Sequence, residues 1–268
     1  MKVAIVASDM PHHTVHAEAM AQGLGRHGIA STVYPDHLIP DEEIVACWGW
    51  RLGERLRAMG KDVLLMERGF IDRMNYCSLG WNGLNNRAQR RWLPINGCRF
   101  ENLFGRMLRP WSADGDYALI IGQVAGDMAI KGVHIADWYA EAARQALKRF
   151  ALPVKFRPHP MAIAFGQREH VNGAETLYGD LQPALERAMV VITYNSNAGV
   201  DAVLAGRPTL SFDAGSMAWP VTAHEFVIPG DEPDRATWAE QIAWSQFSVP
   251  EIASGDAWEL VKDSRSLQ

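Results

Sequence analysis

Val190–Asp213 reads VVITYNSNAGVDAVLAGRPTLSFD. The apolar run ends at Thr193 or Tyr194, where a buried strand should stop. Asn195, Ser196 and Asn197 are turn-forming and helix-capping residue types, so a helix is expected from about Ala198. Gly206 and Pro208 mark its end, and TLSFD reads as the next strand. Strand, polar turn, helix, strand is the period of a parallel α/β sheet. Three backbone N–H groups at the start of that helix should face outward unpaired, and the helix dipole adds partial positive charge. A phosphate fits such a place, and Gly199 leaves room for close approach. The competing reading is that Ser196 merely caps the helix. Earlier in the chain Val154–Pro160 reads VKFRPHP. It places Arg157 and His159 at the end of a neighbouring strand. Pro158 and Pro160 restrict how His159 can point. Arginine grips oxyanions bidentately and histidine donates near neutral pH.

Working outward, the alternation continues in both directions. VAIVAS, STVYP, EIVACWGW and DVLLMER read as strands in the first part of the chain. Helices are expected from Thr14, with Gly28 as the stop, and over GERLRAMG. A second series runs from DYALIIGQV through DWYAEAARQALKRF and LPVKFRP to MVVITY, AGVDAVLA and TLSFD. Two further helices are expected in DRATWAEQIAWSQF and EIASGDAWELVKDS. The fold class is therefore α/β, with two Rossmann-like lobes facing a cleft. The boundary is expected near Pro110 to Gly115, giving an acceptor-side lobe over residues 1–112 and a donor-binding lobe over residues 113–268. The helices of residues 234–268 have the option of packing back on the first lobe. Ligands of open α/β sheets bind at the carboxyl ends of the strands.

IIGQVAGDMAI, FRPHP and YNSNAGVDAVLAGRPTL, in that order, resemble the C-terminal lobe of the capsular-polysaccharide Kdo transferase family. The resemblance covers Tyr117 to Asp213, under half the chain, and the first lobe shows no motif that matches. It implies GT-B glycosyltransferase architecture and a nucleotide-sugar donor, UDP- or CMP-linked, with no further cofactor. By the same resemblance Gln123, Arg157, His159, Ser196 and Asn197 line the donor site. Thr193 and Gly199, at the strand end and helix start, join them.

Glu67 to Trp111 is a basic segment without a clean period. It carries Arg68, Arg73, Arg87, Arg90, Arg91, Arg99, Arg106 and Arg109 against Glu67, Asp72 and Glu101. Trp81, Trp92 and Trp111 lie within it. Arginine plus flat aromatic rings on a loop suits phosphates and an extruded base. Trp81, Asn82, Arg87, Arg90 and Arg91 are the candidate acceptor contacts. The favoured acceptor is a 5-hydroxymethylpyrimidine in DNA, as in bacteriophage DNA glycosyltransferases, which share the GT-B architecture. A cell-surface or capsular glycan is the alternative, and a non-catalytic nucleotide- or nucleic-acid-binding protein is the reading of another class. A solvated basic loop over packed tryptophans explains the same composition. The acceptor hydroxyl needs a base. Asp72, which begins the unusual loop, and Asp9, after the first strand, are the candidates, although either suits a turn or an ion pair.

The net charge of the 268-residue chain is -5, so it is not a generic polyanion binder. Cys47, Cys77 and Cys98 form no CxxC pair, which argues against a zinc ribbon or disulfide framework and suits the cytoplasm. No run approaches the roughly 20 apolar residues of a membrane span. His12, His13 and His16 supply no third-ligand pattern for zinc, and His16 is expected on a helix surface. No DxD clamp follows a strand, since Asp114 and Asp116 precede one. The expectation is a metal-independent enzyme.

Overall fold

The computed structural model describes residues 1–90, 98–167 and 169–266. The chain divides into two compact units. Unit 1 is Met1–Arg99 with Glu240–Gln268, and unit 2 is Phe100–Ala239. The division thus falls earlier than Pro110, and residues from Glu240 onward belong with unit 1.

In unit 1 the chain begins with β1 (Lys2–Ala7), α1 (Pro11–Arg26), β2 (Ala30–Pro35), β3 (Ile44–Trp48), α2 (Trp50–Ala58), β4 (Asp62–Arg68) and β5 (Tyr76–Trp81). Helix α1 starts three residues before Thr14, because Pro11 occupies its first turn, where no N–H is needed. A short α3 (Arg99–Phe104) follows. Unit 2 then contains β6 (Tyr117–Ile121), α4 (Ile135–Phe150), β7 (Val154–Arg157), α5 (Pro160–Ala164), β8 (Glu175–Thr176), α6 (Leu181–Glu186), β9 (Ala188–Thr193), α7 (Ala198–Leu204) and β10 (Thr209–Ser211). Helix α8 (Arg235–Ala243) runs back into unit 1, which closes with β11 (Gln246–Ser248), α9 (Val249–Ser254) and α10 (Asp256–Val261).

The unit 1 sheet has the order β11-β5-β4-β3-β1-β2. Its β1 to β4 pairs are parallel. The two remaining pairs are antiparallel, so the sheet is mixed rather than purely parallel. Both antiparallel strands were hidden in sequence. β5 lies inside the aperiodic basic segment, and β11 ends a stretch that reads as helix. The expected last helix is two, broken at Gly255, whose φ is +92°. Val3, Ile5, Leu64, Met66, Trp81 and Trp258 belong to the main core of this unit, on one face of the sheet.

The unit 2 sheet is fully parallel, in the order β10-β9-β6-β7-β8. Buried on both faces, its strands read as continuous apolar runs such as Tyr117–Ile121. Tyr139, Phe156, Ile192 and Leu210 fill one side, and Leu119, Val191 and Ala202 the other. Among the described residues no helix is long and apolar enough to cross a membrane.

Candidate functional site

In unit 2 the chain order reverses beside β6. The chain passes from β6 to β7 on one side, and later places β9 on the other. This switch point opens a crevice at the carboxyl ends of β6 and β9. Gln123 follows β6 and Asn195 follows β9, and the two amides meet there. Gln123 Nε2 donates to Asn195 Oδ1 at 2.8 Å, and the Asn195 N–H donates to Gln123 Oε1 at 3.1 Å. Asn195 Nδ2 also donates to the Ala129 carbonyl at 2.7 Å and to Asp213 Oδ1 at 3.1 Å. The Gln123 N–H donates to the Tyr139 hydroxyl at 2.6 Å, and burial pushes that phenol well above its ordinary pKa. The network ties the loops after β6, β9 and β10 into one rigid edge.

β7 delivers the next two residues. Gly122 sits against its end; a Cβ there would come within 3.0 Å of the Arg157 carbonyl and of Pro158 Cα. The Arg157 side chain is buried, which lowers its pKa, and Asp180 and Asp201 partly offset this. Its Nε and Nη2 donate to the Gly179 carbonyl at 3.2 and 2.8 Å. Its Nη1 carries no hydrogen bond among the described residues. His159 caps α5, with Nδ1 accepting from the Met161 N–H at 3.1 Å. A neutral ring in that arrangement carries its proton on Nε2.

The start of α7 differs from expectation. The Ser196 N–H is held by Thr193 Oγ1 at 3.0 Å and the Ala198 N–H by Ser196 Oγ at 3.2 Å. The Gly199 and Val200 N–H groups donate to the Ser196 and Asn197 carbonyls, each at 2.9 Å. The tight turn thus consumes amides expected to meet a phosphate, and the Ser196 hydroxyl, one residue before the N-cap, holds the first helical N–H. Thr193 is fully buried in this role. Gly199 accommodates the protein itself, since a Cβ there would lie 3.2 Å from Thr193 Cγ2. Asn197 occupies the N-cap position. Gln123, Arg157, His159, Ser196 and Asn197 therefore share one sheet edge. The positive charge comes from Arg157 rather than from the helix.

Of the acceptor contacts expected in unit 1, Trp81, Asn82 and Arg90 are engaged within the unit itself. Trp81 is 1% exposed, and its Nε1 donates to the Val261 carbonyl at 2.7 Å, so it cannot stack on an extruded base. Asn82, at φ +60°, accepts from the Val63 N–H with Oδ1 at 2.8 Å and donates to Gln89 Oε1 at 3.1 Å. Burial lowers the Arg90 guanidinium to about 10. Arg90 donates to the Leu79 carbonyl at 3.1 Å and to that of Asn85. It lies over Gly80, where a Cβ would come within 2.7 Å of Nη2. Arg87 is exposed; Arg91, like Trp92, lies outside the described residues. Arg99 donates to the Ala243 and Gln246 carbonyls at 2.8 and 3.0 Å. Trp111 packs under Arg235. Arg90 and Arg99 are spent on backbone carbonyls and rings, which composition alone cannot distinguish from a phosphate surface.

Asp72 is the turn residue between β4 and β5, at φ +48°, and its carboxylate accepts from Asn75 Nδ2 at 3.0 Å. Asp9 is exposed after β1 and has no hydrogen bond among the described residues. A carboxylate missed in sequence is Asp127, on the Gln123 loop, whose Oδ1 accepts from the Ala129 N–H at 2.8 Å. It is exposed.

Unit 1 has its own switch point, between β1 and β3. Ser8 follows β1, and Trp48 ends β3. Ser8 Oγ and His13 Nδ1 are 2.6 Å apart. The rings of His12, His13 and His16 surround Trp48 at 5.1, 4.9 and 5.0 Å. His16 is 6% exposed, so it is not a surface residue. Burial lowers the pKa of all three, with Arg68 adding to the effect. Among the described residues no group of His, Cys, Asp and Glu is arranged to hold a metal ion.

No protein-family model and no curated protein sequence matches the chain. Solved structures do. The chain is similar to the beta Kdo 2,4 transferase KpsC of Thermosulfurimonas dismutans, with a TM-score of 0.60 and 14% identity, over 90% of this chain and 89% of that one. It is similar to the beta Kdo 2,7 transferase KpsC of the same organism, with a TM-score of 0.58 and 14% identity, over 97% and 99%. At this identity the likeness is one of fold. The two Rossmann-like units have the GT-B type of fold.

Proposed function

We propose that the protein is a glycosyltransferase that moves a sugar from a nucleotide sugar to a hydroxyl of a glycan. The observation that carries this reading is the edge of unit 2. Two interlocked buried amides there fix the switch-point loops, and at the same sheet edge the buried Arg157 has no hydrogen bond on Nη1 among the described residues. A preorganised cation is what a leaving phosphate requires. In the reaction the acceptor oxygen bonds to the anomeric carbon and the anomeric carbon–phosphate oxygen bond breaks. The electron pair leaves on the nucleotide phosphate, where Arg157 offsets the charge. The acceptor proton goes to a carboxylate. Asp127 is our first choice, because it stands on the Gln123 loop with one oxygen held by Ala129; Asp9 is the candidate in unit 1.

The donor is CMP- or UDP-linked, and the protein side chains supply the charge stabilisation without a metal clamp. The glycan acceptor is preferred over DNA because Trp81, Asn82 and Arg90 serve the core of unit 1. The similar transferases are named for Kdo, an acidic sugar, which makes its CMP-linked form the first donor to try.

The test is a panel of CMP- and UDP-sugars with oligosaccharide and hydroxymethylated-DNA acceptors. Release of nucleotide that depends on an oligosaccharide, and that Asp127→Asn abolishes without weakening nucleotide binding, supports the proposal. Nucleotide binding with no turnover on any acceptor would leave a binding protein. Turnover on DNA alone would restore the first acceptor.

A further inference from the structure

We propose that the crevice between β1 and β3 of unit 1 binds the acceptor through an anionic group, so that the ligand is an acidic saccharide carrying a carboxylate or a phosphate. This rests on the glycosyltransferase reading for the word acceptor; the binding itself does not.

The crevice holds a cavity of about 290 Å³ lined by Ser8, His13, Asp36, Trp48, Arg51 and Arg55, among others. That is near the lower size of ligand pockets and suits one or two sugar rings. Arg51 and Arg55 are four residues apart on α2, so they share one helix face. Both are exposed, and neither has a hydrogen bond or ion pair among the described residues. Among the described residues the only acidic side chain lining the cavity is Asp36, which is exposed and acts by its charge on the His13 ring. Two guanidinium groups against one carboxylate leave a positive excess. Arg90 and Arg99 of this unit, by contrast, bind backbone carbonyls. Uncommitted arginines facing a cavity are what an oxyanion needs.

The rest of the wall fits a saccharide better than a nucleobase. Trp48 contributes a flat apolar surface, but three histidine rings crowd it, and Arg68 lies 5.9 Å from its centre. A base has no room to insert between them. The Ser8–His13 pair gives a fixed polar group for a hydroxyl. Burial lowers the pKa of the three histidines, which disfavours their charged form.

The full chain is titrated calorimetrically at low salt, with no donor, using methyl β-glucuronide, glucose 1-phosphate and methyl β-glucoside. A charged probe should bind about tenfold tighter than the neutral one, the value of a single charge-assisted hydrogen bond. The tighter of the two charged probes identifies the anion. R51Q/R55Q should erase the preference with the circular dichroism spectrum unchanged, and R51K/R55K should keep part of it. Equal affinity for all three probes, no binding of any, or a preference that survives R51Q/R55Q overturns the proposal. A parallel titration with CMP and UDP separates the two readings. Saccharide binding without nucleotide binding supports this site and counts against the donor assignment.

Discussion

Asn195→Ala tests whether the paired amides are the structural heart of unit 2. Asn195 is 2% exposed. Truncation deletes its bonds to Gln123 Nε2, the Ala129 carbonyl and Asp213 Oδ1, at 2.8, 2.7 and 3.1 Å. Two are neutral, at about 1 kcal/mol each, and the one to a carboxylate is about 1.5–3 kcal/mol. The bond from the Asn195 N–H to Gln123 Oε1 needs no side chain at 195, so it survives. The loss should therefore be roughly 3–5 kcal/mol. Asn195→Asp keeps the shape but sets a carboxylate oxygen where Nδ2 met Asp213, and should cost at least as much. The assay is hydrogen exchange with urea, read separately on the amides of β6 and β9 and on those of β1 and β3. The β6 and β9 amides should lose protection while those of β1 and β3 hold. A change under about 0.5 kcal/mol, the range of an ordinary surface substitution, would refute the reasoning. So would a loss shared equally by the two units.

Arg157→Ala should lower transfer by about 2–4 kcal/mol in activation terms, with kcat/KM for the nucleotide sugar as the readout. Arg157→Lys should not restore it, since the single ammonium of lysine lacks the planar fork that sets Nε and Nη2 on the Gly179 carbonyl and holds Nη1 apart from them. His12, His13 and His16 have folded pKa values below 6.5. Below about pH 6.5 the unfolded chain binds more protons, so stability is full above that pH and falls as pH drops through the folded values. Urea midpoints against pH should show this slope, and H12Q/H13Q should flatten it. Gln246 is fully buried; its Oε1 accepts from the Phe70 and Ile71 N–H groups at 2.7 and 2.9 Å and its Nε2 donates to the Ile71 carbonyl at 2.9 Å. Gln246→Ala should destabilise unit 1 by about 2–4 kcal/mol, read as faster exchange in β5. Transfer should survive EDTA; its loss on chelation and return with manganese would reveal an unrecognised ligand set.

The parallel strands were legible because burial on both faces makes each an apolar run closed by a polar turn, as at Val190–Thr193. β5 was not, because Gly80, Asn82 and Arg90 make it look like a loop; its regularity comes from pairing with β4 and β11, far apart in sequence. The edge of unit 2 was legible as a place. Its internal wiring was not, because whether Asn195 or Ser196 reaches outward depends on which hydroxyl and amide groups the turn uses. The basic segment misled for the same reason. An arginine bonded to a carbonyl and one waiting for a phosphate are the same letter. The crevice of unit 1 left a faint signal in Ser8, His13 and Trp48, which only the β1–β3 adjacency brings together.

The Gln246 clamp also sets an order of events during synthesis. Residues 100–239 form a continuous unit, whereas the Phe70 and Ile71 amides wait for a side chain 175 residues further on. At about 5–20 residues per second that wait lasts roughly 9–35 s. Through that interval β5 is an uncovered edge, open to pairing with another nascent chain. The middle of the polypeptide can thus mature on the ribosome before its beginning does. Slowed translation or a shortage of chaperone should then show itself first as aggregation seeded by Tyr76–Trp81.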